Sequence, residues 1–334
     1  MIGSFLLTPR YFTKEQLMEI LRLVKKSGLN TFCHIASASD PLICLDDMIV
    51  KTSFGEYDIS PSLMPPNEDG KSRYLTQTEM DEVLNYAKEL ELEYIPTFTV
   101  PSHMGAILAL FPHLRYEGTT DSANIKNPEA VEFCYALIEK YAEYFASHGF
   151  TYFNIGADEF AQELNNEMGY DMIYENGEMS YFIDFMNGII DRLAKKGVKT
   201  VAWNDGICYN NDATTYKEID KRLIIAYWIP GWGRRVATPK FLEDQGYKVL
   251  NSFHTYYVDI NTNDFEEKAK TLSNLDIKNV SEADGFYLEN PLGAQACCWE
   301  IANAKPQDYA KKLEPLLNAF GKAYKENLKK YSIN

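Results

Sequence analysis

Two adjacent carboxylic acids, Asp158 and Glu159, stand at the end of an apolar run that begins at Phe150. The run has no helical period, so it predicts a buried strand with both acids at its carboxyl end. Neighbouring like charges in a partly buried place push at least one pKa upward. A carboxyl group with a raised pKa can donate a proton near neutral pH, as a general acid does. A solvated loop would explain an isolated Asp-Glu pair equally well, so the surrounding residues decide.

The elements that would position these acids alternate regularly along the chain. Strand-like runs are followed by helices or helix-like segments, and Thr13 to Gln16 and Thr76 to Glu79 have capping-box spacing. Such alternation over 334 residues is typical of a (β/α)8 barrel, with a doubly wound open sheet as the competing fold. No low-complexity linker divides the chain, so we predict one catalytic domain over residues 1–334. The predicted strands are 4–8, 31–35, 94–99, the run from 150, 200–203, 223–228, 248–251 and 294–299.

Two stretches give weaker signals. Residues 36–73 form a polar connection, and a connection of that length is usually functional or disordered. A short helix is expected near residues 216–222, and the segment from about residue 265 has no clear pattern.

In a barrel the functional site lies at the carboxyl ends of the strands, so the residues there are site candidates. Asp40 and His103 follow the second and third predicted strands, and we expect Asp40 to orient the imidazole, which tunes Glu159. The chain has four tryptophans, and all stand at or just beyond strand ends. Indole faces beside carboxylates suit a pyranose ring, whose C–H face packs on aromatics while its hydroxyls bind acids and amides. Candidates after the later strands are Trp203, Asn204, Asp205, Trp228, Trp232, Tyr256, Tyr257, Asp259, Trp299 and Glu300.

A metal site is a competing use of the same region. His34, His103, Asp158 and Glu159 could supply the ligands, but the tryptophans would then have no role. The six cysteines contain no CxxC pair, and no histidine is spaced as a zinc ligand would be. We therefore expect no metal.

Charge and hydropathy restrict the partners. With 33 basic and 48 acidic residues the net charge is −15, which repels nucleic acid and an anionic membrane surface. No apolar run reaches the length of a membrane span, and no signal peptide is evident at the start. We expect a cytoplasmic chain as it stands, or a secreted or surface-attached one if an N-terminal segment was trimmed. The sequence leaves the oligomeric state open.

The segments around these candidates resemble glycoside hydrolase family 20, the β-N-acetylhexosaminidases. The resemblance extends from about residue 3 to about residue 329. It is closest to the branch that contains the streptococcal surface exo-β-N-acetylglucosaminidase and the bifidobacterial lacto-N-biosidase. The segments that carry it are LDDM at 45–48, YLT at 74–76, PSHMGAIL at 101–108, FNIGADEF at 153–160, NDGI at 204–207, GWG at 231–233 and YYVD at 256–259.

The resemblance implies retaining hydrolysis in which the substrate's own 2-acetamido oxygen attacks C1 and forms an oxazolinium intermediate. Glu159 would protonate the leaving oxygen and then activate water. Asp158 would orient the acetamido N–H, and Tyr257 would donate to its oxygen. The reaction implied is release of terminal β-linked N-acetylglucosamine or N-acetylgalactosamine, without a cofactor. The remaining residues expected to contact the sugar are Trp203, Trp228, Trp232, Trp299, Asp259, Asp205, Asn204, Arg10 and Glu300.

Two positions differ from the expected family pattern. An arginine before the glycine of the first strand would clamp the 3- and 4-hydroxyls, but this chain has Ile2 there. An acid would follow the last-strand tryptophan by two residues, where this chain has Ile301. Either the clamp is rebuilt from groups such as Arg10, Glu300 or Arg234, or the site accepts a sugar already substituted there. The second case would suit an enzyme that releases a disaccharide, as a lacto-N-biosidase does. A glycan-binding barrel without catalysis is a further alternative.

Overall fold

The fold is a closed barrel of eight parallel strands. The computed structural model describes residues 1–37, 39–64, 73–164, 173, 176–208, 218–229, 237–258, 264–301 and 304–332. The barrel strands are β1 (Ile2–Leu7), β2 (Thr31–Ser37), β3 (Glu93–Val100), β4 (Tyr152–Gly156), β5 (Lys199–Trp203), β6 (Ile224–Tyr227), β7 (Lys248–Asn251) and β8 (Gly293–Cys298). Each strand pairs in parallel with the next, and β8 pairs with β1 from Ile2 opposite Gly293 to Leu7 opposite Cys298. The predicted (β/α)8 barrel is confirmed, and each predicted strand corresponds to one barrel strand.

Helices follow most of the strands, and two of them begin at the predicted capping boxes. In both predicted capping boxes the threonine side chain accepts a backbone N–H and the third helical residue accepts in return, at Thr13 with Gln16 and at Thr76 with Glu79. Such a cap stabilises a helix by about 1 kcal/mol. The segment without a clear pattern is a helix, α8. Of the short helix expected at 216–222, positions 216 and 217 lie outside the described residues, and the prediction is wrong for 219–222, which form a bend and a turn. The helices are α1 (Lys14–Ser27), α2 (Gln77–Glu89), α3 (Gly105–Leu110), α4 (Pro128–Ser147), α5 (Met179–Lys195), α6 (Asp205–Cys208), α7 (Pro239–Asp244), α8 (Phe265–Ser273) and α9 (Pro306–Lys330). No helix in the described part of the chain is long and apolar enough to cross a bilayer.

The strands are buried on both faces. Successive side chains of a strand point to opposite sides, so β1 directs Leu6 into the barrel and Phe5 toward the helices. On β3, Ile95 is inside and Tyr94 outside. Because the strands are parallel, their carboxyl ends lie on one side of the barrel. This arrangement places the predicted site residues around one opening.

The connection between β2 and α2 differs from the prediction. Its described part contains an antiparallel pair of short strands, Ile49–Lys51 with Glu56–Asp58, and a further strand, Ile43–Cys44, that pairs with Leu75–Thr76. Ile43 is fully buried, and its carbonyl accepts the hydroxyl of Tyr141 from α4 at 2.8 Å. Disorder is therefore wrong for residues 39–64, which pack against the barrel. Positions 38 and 65–72 lie outside the described residues.

Candidate active site

The carboxyl ends of the strands surround a cavity of about 430 Å³, a size typical of small-molecule sites. Each barrel strand, or the segment that follows it, contributes to the wall. The described lining residues are Pro9, Ile35, Thr97, Thr99, His103, Asp158, Glu159, Trp203, Trp228, Tyr257 and Trp299. The structure thus brings seven of the sequence-predicted site residues together in one cavity.

The turn after β4 holds the two acids in an unusual backbone conformation. Gly156, Ala157 and Glu159 have φ angles of 67°, 60° and 52°. The left-handed region costs about 1–3 kcal/mol for a residue other than glycine, and it persists where surrounding packing enforces it. At Gly156 a Cβ would lie 2.7 Å from Thr99 Cγ2 and 3.1 Å from Asp158 Oδ1, so only glycine fits. The acids therefore owe their direction to a strained turn, as functional residues often do.

An imidazolium faces both acids. His103 Nε2 lies 3.5 Å from Asp158 Oδ2 and 3.4 Å from Glu159 Oε2. Burial by itself lowers the pKa of His103, but the charge of Asp158 and hydrogen bonding to both carboxylates outweigh it and raise that pKa to about 11. The contact expected between His103 and Glu159 is present.

The predicted relay from Asp40 is not seen. Among the described contacts, no hydrogen bond or ion pair joins Asp40 to His103, whose Nε2 atom is directed at the acids after β4. Burial raises the pKa of the Asp40 carboxyl, but that side chain is not part of the described cavity wall. An effect of Asp40 on Glu159 stays a prediction.

The same cluster could in principle hold a metal ion, since ligand atoms of His103, Asp158 and Glu159 lie within 4.8 Å of one another. His34, the fourth candidate, is buried on β2 with Nδ1 2.6 Å from the hydroxyl of Tyr94, and burial lowers its pKa to about 4. Among the described residues, His34 therefore does not join the other three candidates.

Four aromatic rings form the wall of the cavity. The rings of Trp203 and Trp299 have centroids 5.8 Å apart at an angle of 47°. The Tyr257 ring lies 5.6 Å from Trp299 and is stacked 6.1 Å from Trp228, with 10° between the planes. Trp232, Asp259 and Arg234, which the sequence also indicated, lie outside the described residues. The described wall presents flat apolar faces beside the acids.

Two buried polar atoms at this cavity lack a partner among the described residues. They are Asp158 Oδ1, an acceptor, and the Tyr257 hydroxyl. Burial raises the pKa of Tyr257 well above its usual range, with the charge of Asp158 adding to the effect, so the hydroxyl keeps its proton and can donate. Each unsatisfied group of this kind costs about 1–3 kcal/mol. A ligand with one N–H and one carbonyl oxygen would satisfy both atoms.

Asn204 and Asp205 lie behind the aromatic wall, which differs from the sugar contacts predicted for them. The Asn204 Nδ2 donates to the carbonyl of Ile229 at 2.9 Å, and its Oδ1 accepts the backbone N–H of Trp228 at 2.7 Å. Asp205 accepts the backbone N–H of Glu159 at 2.7 Å and the Trp228 Nε1–H at 3.1 Å. The chain turns inward after β5, so the polar atoms of both residues bind protein groups.

A carboxyl group with a raised pKa lies behind the acid pair, at Asp205. Burial, helped by the charge of Asp158, raises the pKa of Asp205, whereas the hydrogen bonds from the Glu159 backbone N–H and the Trp228 indole N–H favour its ionised form. Sequence reasoning did not indicate this shift, because the depth of a carboxyl group depends on the turn that carries it.

The rim between β1 and β8 carries an ion pair. Arg10 Nη2 lies 2.7 Å from Glu300 Oε2, and the Arg10 side chain is 40% exposed. The other Glu300 oxygen accepts the hydroxyl of Tyr309 and the backbone N–H of Ile301, the latter at 3.0 Å. Ile301 itself is fully buried. Arg10 directly follows Pro9 of the cavity wall, and its side chain is partly open to solvent.

The prediction that position 2 belongs to the clamp for the 3- and 4-hydroxyls was wrong. Ile2 begins β1, whereas the cavity lies beyond the other end of that strand, at Pro9. At roughly 3.3 Å per residue the two positions are separated by about 20 Å, so a side chain at position 2 cannot reach a sugar in the cavity.

Sequence reasoning missed several residues of the wall. Pro9 follows β1, and Ile35, Thr97 and Thr99 lie on β2 and β3. Ile35 belongs to the apolar cluster inside the barrel, and the two-residue alternation along β3 from Ile95 would have placed Thr97 and Thr99 on the same inner face. Thr97 Oγ1 is also buried without a partner among the described residues.

A parallel barrel with carboxylates, an imidazole and indole rings around one cavity at the carboxyl ends of its strands has the arrangement expected of a (β/α)8 enzyme. Residues 10–321 match the family model for "Glycosyl hydrolase family 20, catalytic domain". The chain belongs to this family, and it is therefore a glycoside hydrolase. The resemblance inferred from the motifs is confirmed.

The chain is also similar to individual proteins. The chain is 27% identical over 241 residues to a lacto-N-biosidase of Bifidobacterium bifidum, an alignment that covers 66% of this chain and 20% of that protein. The chain thus spans about one fifth of that relative. A structure of the tandem catalytic modules of the pneumococcal exo-β-D-N-acetylglucosaminidase StrH superposes with a TM-score of 0.87 at 22% identity, covering 98% of this chain and 84% of that one. Dispersin B superposes with a TM-score of 0.75 at 20% identity, covering 97% and 100%. At these identities the structural likeness concerns the fold.

Proposed function

We propose that the chain releases a terminal β-linked N-acetylhexosamine from glycans, with retention of configuration and with help from the sugar's own 2-acetamido group. The observation that supports this most directly is the unpartnered pair of Asp158 Oδ1 and the Tyr257 hydroxyl in one cavity. A secondary amide carries the complementary N–H and carbonyl oxygen. The indole rings of Trp203, Trp228 and Trp299 supply the apolar surface that the acetamido methyl and the pyranose ring need.

In the first step the acetamido oxygen attacks C1 while the bond from C1 to the leaving oxygen breaks. Glu159 gives its proton to that oxygen, and the sugar becomes an oxazolinium ion. Tyr257 donates to the acetamido oxygen and orients it toward C1. Asp158 accepts the amide N–H, and its negative charge stabilises the positive charge that develops on the ring. The adjacent His103 imidazolium holds Asp158 in place and limits the mutual repulsion of the two acids.

In the second step water attacks C1 from the face that the leaving group vacated. Glu159 takes a proton from that water, the oxazolinium ring opens, and the 2-acetamido group is restored. Two inversions at C1 give net retention. Glu159 ends the cycle protonated and ready for the next substrate, and the described residues supply every proton transfer.

The non-reducing end of the sugar would meet the rim between β1 and β8. Arg10 has N–H groups beyond the one directed at Glu300, and it stands beside Pro9 at the cavity wall. We propose that Arg10 binds hydroxyls of the terminal sugar and that Glu300 fixes the direction of the guanidinium.

The reaction type can be tested with two aryl glycosides that differ only at C2. The account predicts hydrolysis of p-nitrophenyl β-N-acetylglucosaminide and a rate at least about 10²-fold lower for the matching β-glucoside, which lacks the participating amide. Measuring kcat/KM for both on the same preparation provides the comparison. Equal rates on the two glycosides would exclude a role for the acetamido group.

Release of a disaccharide is the second candidate, favoured by the similarity to a lacto-N-biosidase. It would require the terminal site to accept a sugar carrying a further residue at O3 or O4, close to the Arg10 and Glu300 pair. Adding p-nitrophenyl β-lacto-N-bioside to the same assay separates the candidates. Cleavage of the bioside alone would replace the monosaccharide proposal, and absence of turnover on all substrates would favour a glycan-binding barrel.

A further inference from the structure

We propose that Asp205 is a positioning residue whose carboxylate joins the general acid and one wall of the sugar site into a single unit. This inference rests on the proposed function, since it assigns Asp205 a task in that reaction. Asp205 begins α6 directly after β5, and it is 5% exposed.

The carboxylate bridges two neighbouring strand ends. One oxygen, Oδ2, accepts the backbone N–H of Glu159, which follows β4, at 2.7 Å. The other oxygen, Oδ1, accepts the indole Nε1–H of Trp228, which follows β6, at 3.1 Å. A single carboxylate just after β5 thus bridges the general acid and the indole.

Each of these contacts fixes a group that needs support. Glu159 has a φ angle of 52°, a conformation that a non-glycine residue keeps only under external constraint. The backbone N–H of Trp228 is held by Asn204, and the contact to Asp205 restrains the rotation of the ring. The adjacent residues Asn204 and Asp205, just after β5, therefore bind the main chain and the side chain of the same tryptophan.

The position requires two acceptors. A carboxylate has two oxygens, whereas an asparagine has one oxygen and one NH2 group, which would face one of the two N–H donors. Asp205→Asn can therefore keep the contact to Glu159 or to Trp228, but not both. Asp205→Ala leaves both donors buried without an acceptor. We expect graded effects, with the alanine variant more affected than the asparagine variant.

The contact can be observed without activity through the indole N–H signals in ¹H–¹⁵N spectra of the substrate-free protein. The chain has four tryptophans, and Trp228→Phe identifies the signal of interest. In the wild type this N–H should exchange slowly with solvent. In Asp205→Ala it should shift and exchange faster, while the other indole signals move less.

The kinetic readout is the dependence on leaving group. If Asp205 positions Glu159, Asp205→Ala should lower kcat by roughly tenfold or more on a disaccharide with a sugar leaving group. The loss should be smaller on an aryl glycoside, whose leaving group needs little protonation. Trp228→Phe, which keeps the Glu159 contact, should instead raise KM. Asp276→Asn is the matched control, because Asp276 also accepts several hydrogen bonds but belongs to a network with Lys330, the last residue of α9, and with Tyr331, which follows it. It should leave both readouts unchanged.

The inference would be overturned if Asp205→Ala or Asp205→Asn folded and showed an unmoved Trp228 signal together with an unaltered dependence on leaving group. If the alanine variant does not fold, the asparagine variant decides, since it preserves the shape of the side chain. The proposed function and the role of Asp205 can be refuted independently of each other. Wild-type protein without hydrolytic activity would refute the proposed function, whereas the Trp228 signal would still show whether Asp205 holds the indole.

Discussion

Replacing Glu159 by glutamine should lower kcat on a β-linked disaccharide by about 10²–10⁴, the usual contribution of a general acid. Glutamine has nearly the same shape as glutamic acid but no proton to give, so the sugar leaving group would depart as an unprotonated alkoxide. Binding should survive, because the aromatic wall and the Asp158 and Tyr257 contacts are unchanged. Steady-state kinetics give the loss of kcat, and calorimetry with the disaccharide gives the retained affinity.

The control for Glu159→Gln is Glu117→Gln, a change of the same chemistry at an exposed position outside the described cavity wall. It should keep wild-type rates. An aryl glycoside with a good leaving group should lose less in its first step than the disaccharide does. Near-normal activity of Glu159→Gln on the disaccharide would remove Glu159 from the acid role.

Replacing Asp158 by asparagine should lower kcat by about 10²–10³ even on an activated aryl glycoside. The residue acts on the intermediate and not on the leaving group, so a better leaving group cannot compensate for its loss. Asparagine still offers an oxygen to the acetamido N–H, but it lacks the charge that stabilises the oxazolinium ion. The measurement is kcat on a series of aryl N-acetylglucosaminides of decreasing leaving-group pKa, with a flat deficit across the series as the expected pattern.

A surface aspartate provides the comparison for this second variant. Asp191 pairs with Lys195 at 2.7 Å on α5, and its side chain is 44% exposed, so Asp191→Asn should leave the series unchanged. A deficit in Asp158→Asn that disappears with the best leaving groups would assign Asp158 to acid assistance. An unchanged rate throughout would argue against participation of the acetamido group.

The barrel could be predicted from the sequence because its strands are buried on both faces. Such strands are continuous apolar runs, and their period distinguishes them from the amphipathic helices between them. The capping residues Thr13 and Thr76 marked two helix starts to the residue. Asp158, Glu159 and the tryptophans could be assigned to one site because parallel strands end at the same side of a barrel.

What the sequence did not reveal depends on directions within turns. Asn204 and Asp205 follow a strand as Asp158 and Glu159 do, yet their side chains bind protein groups behind the wall. Nothing in residue type distinguishes the two cases, since the choice is made by the φ and ψ angles of a few residues. Likewise the proposed pairing of Asp40 with His103 required a distance across two connections, which local patterns do not contain.

The central claim is that the substrate's own acetamido group is the nucleophile. The most direct test is hydrolysis of p-nitrophenyl β-N-acetylglucosaminide in the presence of a thiazoline that mimics the oxazolinium ion. The account predicts competitive inhibition, with the thiazoline bound far more tightly than the substrate, because Asp158 and Tyr257 are arranged for the cyclised form. Hydrolysis that continues unchanged in the presence of excess thiazoline would contradict it.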